Sequence, residues 1–143
     1  RQGYIISYAR CPVMWKSQLQ TEIALSSTKS EYCGLSYALC NAIPIVELFK
    51  EMKRSKFPIR TAKANFHCQV FEDNSGALEI STVHKFPPRT KHINVKYHFF
   101  RDYINRKEIT VNPIDTTMQR ADYLTKPVSY DILIRLRKMV MGW

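Results

Sequence analysis

Three acids stand where a carboxylate could do chemistry. Asp73 directly follows an apolar, strand-like run from Phe66 to Glu72. In open α/β sheets, sites gather beyond the carboxyl ends of strands. Glu31 falls in the first turn of a helix read from Thr28, at a wheel position bordering the apolar arc. Asp122 falls on a short helix after the last strand, between Ala121 and Tyr123. Each acid also has a plain structural reading. Thr28-Lys29-Ser30-Glu31 fits a capping box, in which Glu31 would satisfy the backbone at the helix start. Asp73-Asn74-Ser75-Gly76 is rich in turn formers, and Asp122 fits an exposed helix acid. Glu72 adjoins Asp73, but the alternation of a strand turns neighbours to opposite faces. Only a fold can bring acids from three separate elements together.

Other chemistries are poorly served. The four cysteines (Cys11, Cys33, Cys40, Cys68) are too sparse for a disulfide scaffold, and none forms a Cys-x-x-Cys pair. They read as reduced thiols of an intracellular protein, cytoplasmic or nuclear. His92 and His98 have finger-like spacing, but the gap between Cys33 and Cys40 does not complete a zinc site. His92 reads as a packing residue and His98 as a polar-face partner of Asp102, one turn later.

The elements that must position the acids follow from pattern. Residues 4–9 and 13–18 read as strands, joined by a turn at Cys11-Pro12. Val13, Trp15 and Ser17 share one face of the second strand; Met14, Lys16 and Gln18 share the other. From Thr28 a long helix carries Tyr32, Leu35, Leu39, Ala42, Ile43, Val46 and Phe49 on one face, with Cys33 and Cys40 opposite. Pro44 should kink this helix without ending it, because the apolar stripe continues beyond it. A strand at 66–72, a short helix to about 83, and a helix at about 91–106 come next. A strand at 108–114, a short helix at about 117–125 and a helix at 129–141 complete the order. In the last helix Ile132, Leu133, Leu136 and Val140 should face inward. This order predicts an α/β domain with a mixed sheet and helices packed on it.

The chain has 143 residues, with 22 Lys plus Arg against 12 Asp plus Glu, a formal net charge of +10. One domain fits this length. The charge favours an anionic partner, most readily nucleic acid. Basic residues gather at 50–63, 85–107 and 135–138, where phosphate contact competes with a solvated face. No uninterrupted apolar run approaches the roughly 20 residues of a membrane span, and no membrane partner is expected.

Six motifs in order carry a resemblance. They are Trp15-Lys16-Ser17; Ala24-Leu25-Ser26-Ser27-Thr28-Lys29-Ser30-Glu31-Tyr32; Glu72-Asp73-Asn74-Ser75-Gly76-Ala77-Leu78; Arg89-Thr90-Lys91-His92-Ile93; Lys96-Tyr97-His98-Phe99-Phe100-Arg101; and Ala121-Asp122-Tyr123-Leu124-Thr125-Lys126-Pro127. The chain resembles the ribonuclease H domain of Ty1/copia-type LTR retrotransposon Pol polyproteins. The resemblance implies a ribonuclease H-like fold and two-metal hydrolysis of the RNA strand in RNA–DNA hybrids. Glu31, Asp73 and Asp122 would be three of four carboxylate ligands to two Mg²⁺ ions, whose preference is for oxygen. Arg89 and Lys91 would contact nucleic acid, and the reverse transcriptase portion of the parent polyprotein would be a partner. The family's first catalytic Asp lies on a central strand upstream of Gly3-Tyr4. Residues 1–143 are therefore expected to form one domain incomplete at its N-terminus, with open strand edges and weak or no nuclease activity. The alternative is a non-catalytic nucleic-acid-binding or protein-interaction module.

Overall fold

The computed structural model describes residues 1–21, 23–58, 66–82 and 99–143. Strand β1 (Gln2–Tyr8) pairs antiparallel with β2 (Cys11–Gln18). The turn between them is Ala9-Arg10, not Cys11-Pro12. Both turn residues have positive φ, 50° and 68°, as tight hairpins require at their two central positions. Pro12 instead sits opposite Ser7, where the register shifts; an edge strand tolerates the missing donor.

Helix α1 (Ser27–Arg54) is the spine of the molecule and runs unbroken through Pro44. Its cap is Ser26, not Thr28. The Ser26 backbone is extended, and its hydroxyl accepts from the Lys29 amide at 3.1 Å, satisfying an orphan donor of the first turn. Glu31 therefore lies in the second turn, outside any capping box. The buried face matches the apolar stripe from Tyr32 to Val46, while Phe49 is only half-buried, and there are two additions: Cys33 and Ser36 are buried too. Cys40 is exposed, as its position opposite the stripe implied. By length and composition α1 could cross a membrane. Here its apolar face packs on β1 and β3 as a core helix.

Strand β3 (Cys68–Glu72) enters helix α2 (Ser75–Thr82) after a two-residue turn. Asn74 caps α2, its side-chain oxygen accepting from the Ala77 amide at 2.9 Å. Helix α3 (Arg101–Asn105) leads to β4 (Ile109–Pro113), which pairs parallel with β3. The expected helix at 91–106 is described only in its last part; residues 91–98, with His92 and His98, lie outside the described residues. A 3-10 turn (Thr116–Met118), helix α4 (Asp122–Thr125) and helix α5 (Tyr130–Met141) complete the chain. In α5 Leu136 and Val140 are buried, but Ile132 and Leu133 are exposed.

The core is built around α1. Tyr32, Leu35, Leu39 and Ile43 meet Ala77 and Ile80 of α2, Phe100, and Ile109 of β4. Tyr32 and Phe100 pack ring to ring at 5.9 Å. Arg101 donates to the Ile80 carbonyl at 2.6 Å and hydrogen-bonds the Tyr32 hydroxyl, so the cation closes the core between α1, α2 and α3.

The strands form two separate two-stranded sheets, one antiparallel and one parallel, where one mixed sheet was expected. No ladder joins them among the described residues. Both sheets lie against α1, and among the described residues each of the four strands keeps one unpaired edge.

Candidate active site

The carboxyl end of β3, the second turn of α1 and the start of α4 meet at one end of the molecule. Specific contacts fix this meeting. Gly76, at the start of α2, lies so close to the first turn of α1 that a Cβ there would fall 2.8 Å from the Thr28 side chain. Asp73 is thereby set beside the turn that carries Glu31. On the other side, a Cβ at Gly3 would fall 2.9 Å from Thr125 Cγ2 and 3.2 Å from Leu124 Cβ. The absence of a side chain lets α4 dock on β1. The Ser17 hydroxyl donates to the Leu124 carbonyl, and the Gln119 amide donates to the Phe71 carbonyl at 3.3 Å. The Ile114 amide donates to the Glu72 carbonyl at 3.1 Å, so the chain stays with β3 as it leaves β4.

These contacts bring Glu31, Asp73 and Asp122 within electrostatic reach of one another. Burial among its neighbours raises the Glu31 carboxyl above its ordinary pKa, and the charges of Asp73 and then Asp122 push it the same way. Water still reaches Glu31, which is exposed at the rim of the group. Asp122 is 15% exposed, and its Oδ2 lies 2.7 Å from the Lys126 ammonium, one turn later. Lys126 is the cation of the group. Its hydrogen bond to Asp122 raises its own pKa, with Asp73 and Glu31 adding to the effect. In turn Lys126 draws the Glu31 pKa down.

Glu72 belongs to the same group, contrary to the alternation argument. The strand ends at Glu72, so the pleat no longer governs Asp73, and both carboxyls lie near the other acids. Glu72 is buried, 6% exposed, with Oε1 accepting from the Asn74 amide at 3.1 Å. Burial raises its pKa to about 7; the Asn74 hydrogen bond lowers it, and Glu31, Asp73 and Asp122 raise it further. A sequence signal existed: a carboxylate as the last residue of an apolar strand. Arg89 and Lys91 lie outside the described residues.

Carboxylate oxygens are the right donors for a hard divalent cation. Yet among the described residues no three of the His, Cys, Asp or Glu side chains come close enough to hold one ion. As arranged, these carboxylates do not fit a magnesium pair. What they form is a concentrated negative site with the Lys126 ammonium against it and the N-terminal amine near enough to lower the Glu31 pKa as well.

Comparisons with known proteins find retrotransposon relatives. The chain is 32% identical over 129 residues, 88% of its length, to the retrovirus-related Pol polyprotein from transposon TNT 1-94 of Nicotiana tabacum. It is 30% and 31% identical, again over 129 residues and 89% of its length, to the retrovirus-related Pol polyproteins from transposons RE1 and RE2 of Arabidopsis thaliana. The homologues of this chain are retrotransposon Pol polyproteins. The chain spans only 8 to 9% of the length of these Pol relatives. No family model and no solved structure matches it.

Proposed function

We propose that this Pol-like chain is a ribonuclease H-type domain whose ancestral reaction is hydrolysis of the RNA strand in RNA–DNA hybrids. The observation that carries the reading is the meeting of Glu31, Asp73 and Asp122. They are separated by 42 and 49 positions in the sequence, lie on three elements, and perturb one another electrostatically. A packing requirement alone gives no reason to gather like charges, which cost stability. Mg²⁺ is the proposed cofactor. Glu31, Asp73 and Asp122 would be its ligands once a further oxygen donor joined them or the group drew closer. The two small sheets are read as halves of one sheet, open at β1 and β3. The proposed setting is intracellular, beside the reverse transcriptase portion of a parent polyprotein.

In this reading the 143 residues by themselves cleave weakly or not at all, since the described carboxylates enclose no ion. The same geometry supports a second reading, a non-catalytic nucleic-acid-binding or protein-interaction module. The chain, purified free of host ribonuclease H, separates the two when incubated with labelled RNA–DNA hybrid, Mg²⁺ and rising salt. Weak cleavage lost in Asp73→Asn supports the nuclease lineage. Steeply salt-dependent binding without cleavage, unchanged in Asp73→Asn, supports the binding module.

A further inference from the structure

Glu31, Glu72, Asp73 and Asp122 share one end of the molecule, yet among the described residues no three such side chains are placed to hold one ion. The cation that is present accounts for this spread. The Lys126 ammonium lies 2.7 Å from Asp122 Oδ2. It meets that one carboxylate directly and acts on Asp73 and Glu31 only through space. A single charge satisfied in this way pulls no second carboxylate into contact. Mg²⁺, by contrast, takes oxygens at about 2.1 Å in near-octahedral geometry.

The backbone fixes where the ammonium starts. Lys126 is the C-cap of α4, with an extended backbone, and its amide donates to the Asp122 carbonyl at 3.0 Å. Amide and side chain therefore both turn back to Asp122. Helix α4 is itself held on β1 at Gly3 and by the Ser17 hydroxyl, which donates to the Leu124 carbonyl. The Asp122 side chain is 15% exposed, whereas that of Lys126 is 50% exposed. Of the two partners the lysine is the one that can leave, because its stem is flexible and its head is strongly hydrated.

A helix pair at this spacing contributes little by itself. The neighbours of Asp122 set this one apart. Glu31 of α1 and Asp73 at the end of β3 act on the same ammonium. Like charges gathered from three elements repel, and Lys126 offsets that repulsion. The terminal amine of Arg1 acts on Glu31 too, last among its influences.

We propose that Lys126 is a built-in counter-ion of the acid group, and that its ammonium and a divalent cation compete for Asp122 and its neighbours. This deepens the ribonuclease H-type reading, and rests on it only in treating the acid group as a place for a divalent cation. The spread carboxylates are then the lysine-held state of the group. Removing the ammonium leaves them under-neutralised and more receptive to a divalent ion.

The test is direct Mn²⁺ binding at low salt, read from the electron paramagnetic resonance of free Mn²⁺, with the full chain and its variants. Lys126→Met and Lys126→Gln should each bind Mn²⁺ about tenfold more tightly than the parent, a coupling of ordinary size. Lys138→Met, which removes the same charge from an exposed position of α5, should bind as the parent does. Adding Asp122→Asn to Lys126→Met should abolish the gain. In chelator Lys126→Met should unfold at lower urea than the parent, and Mn²⁺ should raise its midpoint by more than it raises the parent's. The proposal is overturned if neither Lys126 variant binds Mn²⁺ more tightly than the parent. It is equally overturned if Lys138→Met gains as much, or if the gain survives Asp122→Asn. The substituted side chain is half-exposed, and two replacements keep the test readable if one of them folds poorly. Failure of the nuclease reading shows elsewhere, in an RNA–DNA hybrid left intact; failure of this proposal shows in Mn²⁺ binding alone.

Discussion

Replacing Glu72 by Gln should change how stability depends on pH more than any other single substitution at the acid group. Glu72 is buried beside three other acids, and its pKa is raised from 4.5 to about 7. The folded-state value lies above the unfolded one. Between these two values the native chain binds more protons than the unfolded chain, so stability falls as pH rises through that window. Each factor of ten in the proton equilibrium is worth about 1.4 kcal/mol. The cost is absent below about pH 4.5 and complete above about pH 7, where it approaches 3 kcal/mol. Gln keeps the shape and can still accept from the Asn74 amide, but it cannot ionise. Urea denaturation with chelator present, at about pH 5 and pH 8, is the assay. Glu72→Gln should match the parent at the lower pH and exceed it by about 2–3 kcal/mol at the higher. Parallel stability curves for the two proteins would refute the reasoning and show that Glu72 ionises like an exposed carboxyl.

Other substitutions probe the frame. Leu39→Ala removes a fully buried side chain from the core facing α2 and β4 and should cost about 2–5 kcal/mol in thermal or urea unfolding. Gly3→Ala forces a Cβ to 3.0 Å from the Lys16 carbonyl oxygen and against Thr125; it should destabilise by about 1–3 kcal/mol. Gly34→Ala, inside α1, meets nothing nearer than 3.9 Å and should stabilise by about 1 kcal/mol in the same denaturation assay. Lys126→Met removes the larger of two cationic influences that draw Glu31 down, the other being the N-terminal amine, so a carbon-detected NMR titration should find the Glu31 pKa raised; an unmoved titration would show that the Lys126 ammonium does not act on Glu31.

Periodicity made much of the fold legible. The stripe on α1 predicted its buried face and its passage through Pro44, since a helix packed along its whole length can absorb one lost hydrogen bond. The ends were less legible. Two serines precede Thr28, and the backbone chose Ser26 as cap, which no spacing rule distinguishes from Thr28 three residues before Glu31. Cys33 lies opposite the stripe and is buried all the same, on the side of α1 where Tyr4 of β1 meets Tyr37, whereas Ser36 borders the stripe and is small enough to be buried with it. In α5 Ile132 and Leu133 share the helical period of Leu136, but they lie in the turn that the described residues leave uncovered.

At the candidate site, residue type and position within each element singled out Glu31, Asp73 and Asp122. Glu72 was missed because strand alternation was extended one residue past the strand's end. Lys126 was quoted within a motif, yet its role depends on α4 bringing Asp122 back one turn, which only the fold shows. The pairing of residues 50–54 with 106–108 was beyond reach for the same reason. Each cluster reads alone as a solvated face, and the packing of α1 on the parallel sheet brings them together, as the Lys50–Glu108 pair shows.

The central claim is that these residues are the body of a ribonuclease H-type domain. The most direct measurement joins the stretch that precedes the matched segment in the tobacco Pol relative to the N-terminus of this chain. Cleavage of a labelled RNA–DNA hybrid is then measured with Mg²⁺. The expected result is RNA-strand cleavage by the fusion, abolished by Asp73→Asn and by Glu31→Gln, with little or none by the 143 residues alone. A folded fusion that binds hybrid but leaves the RNA intact would contradict the claim.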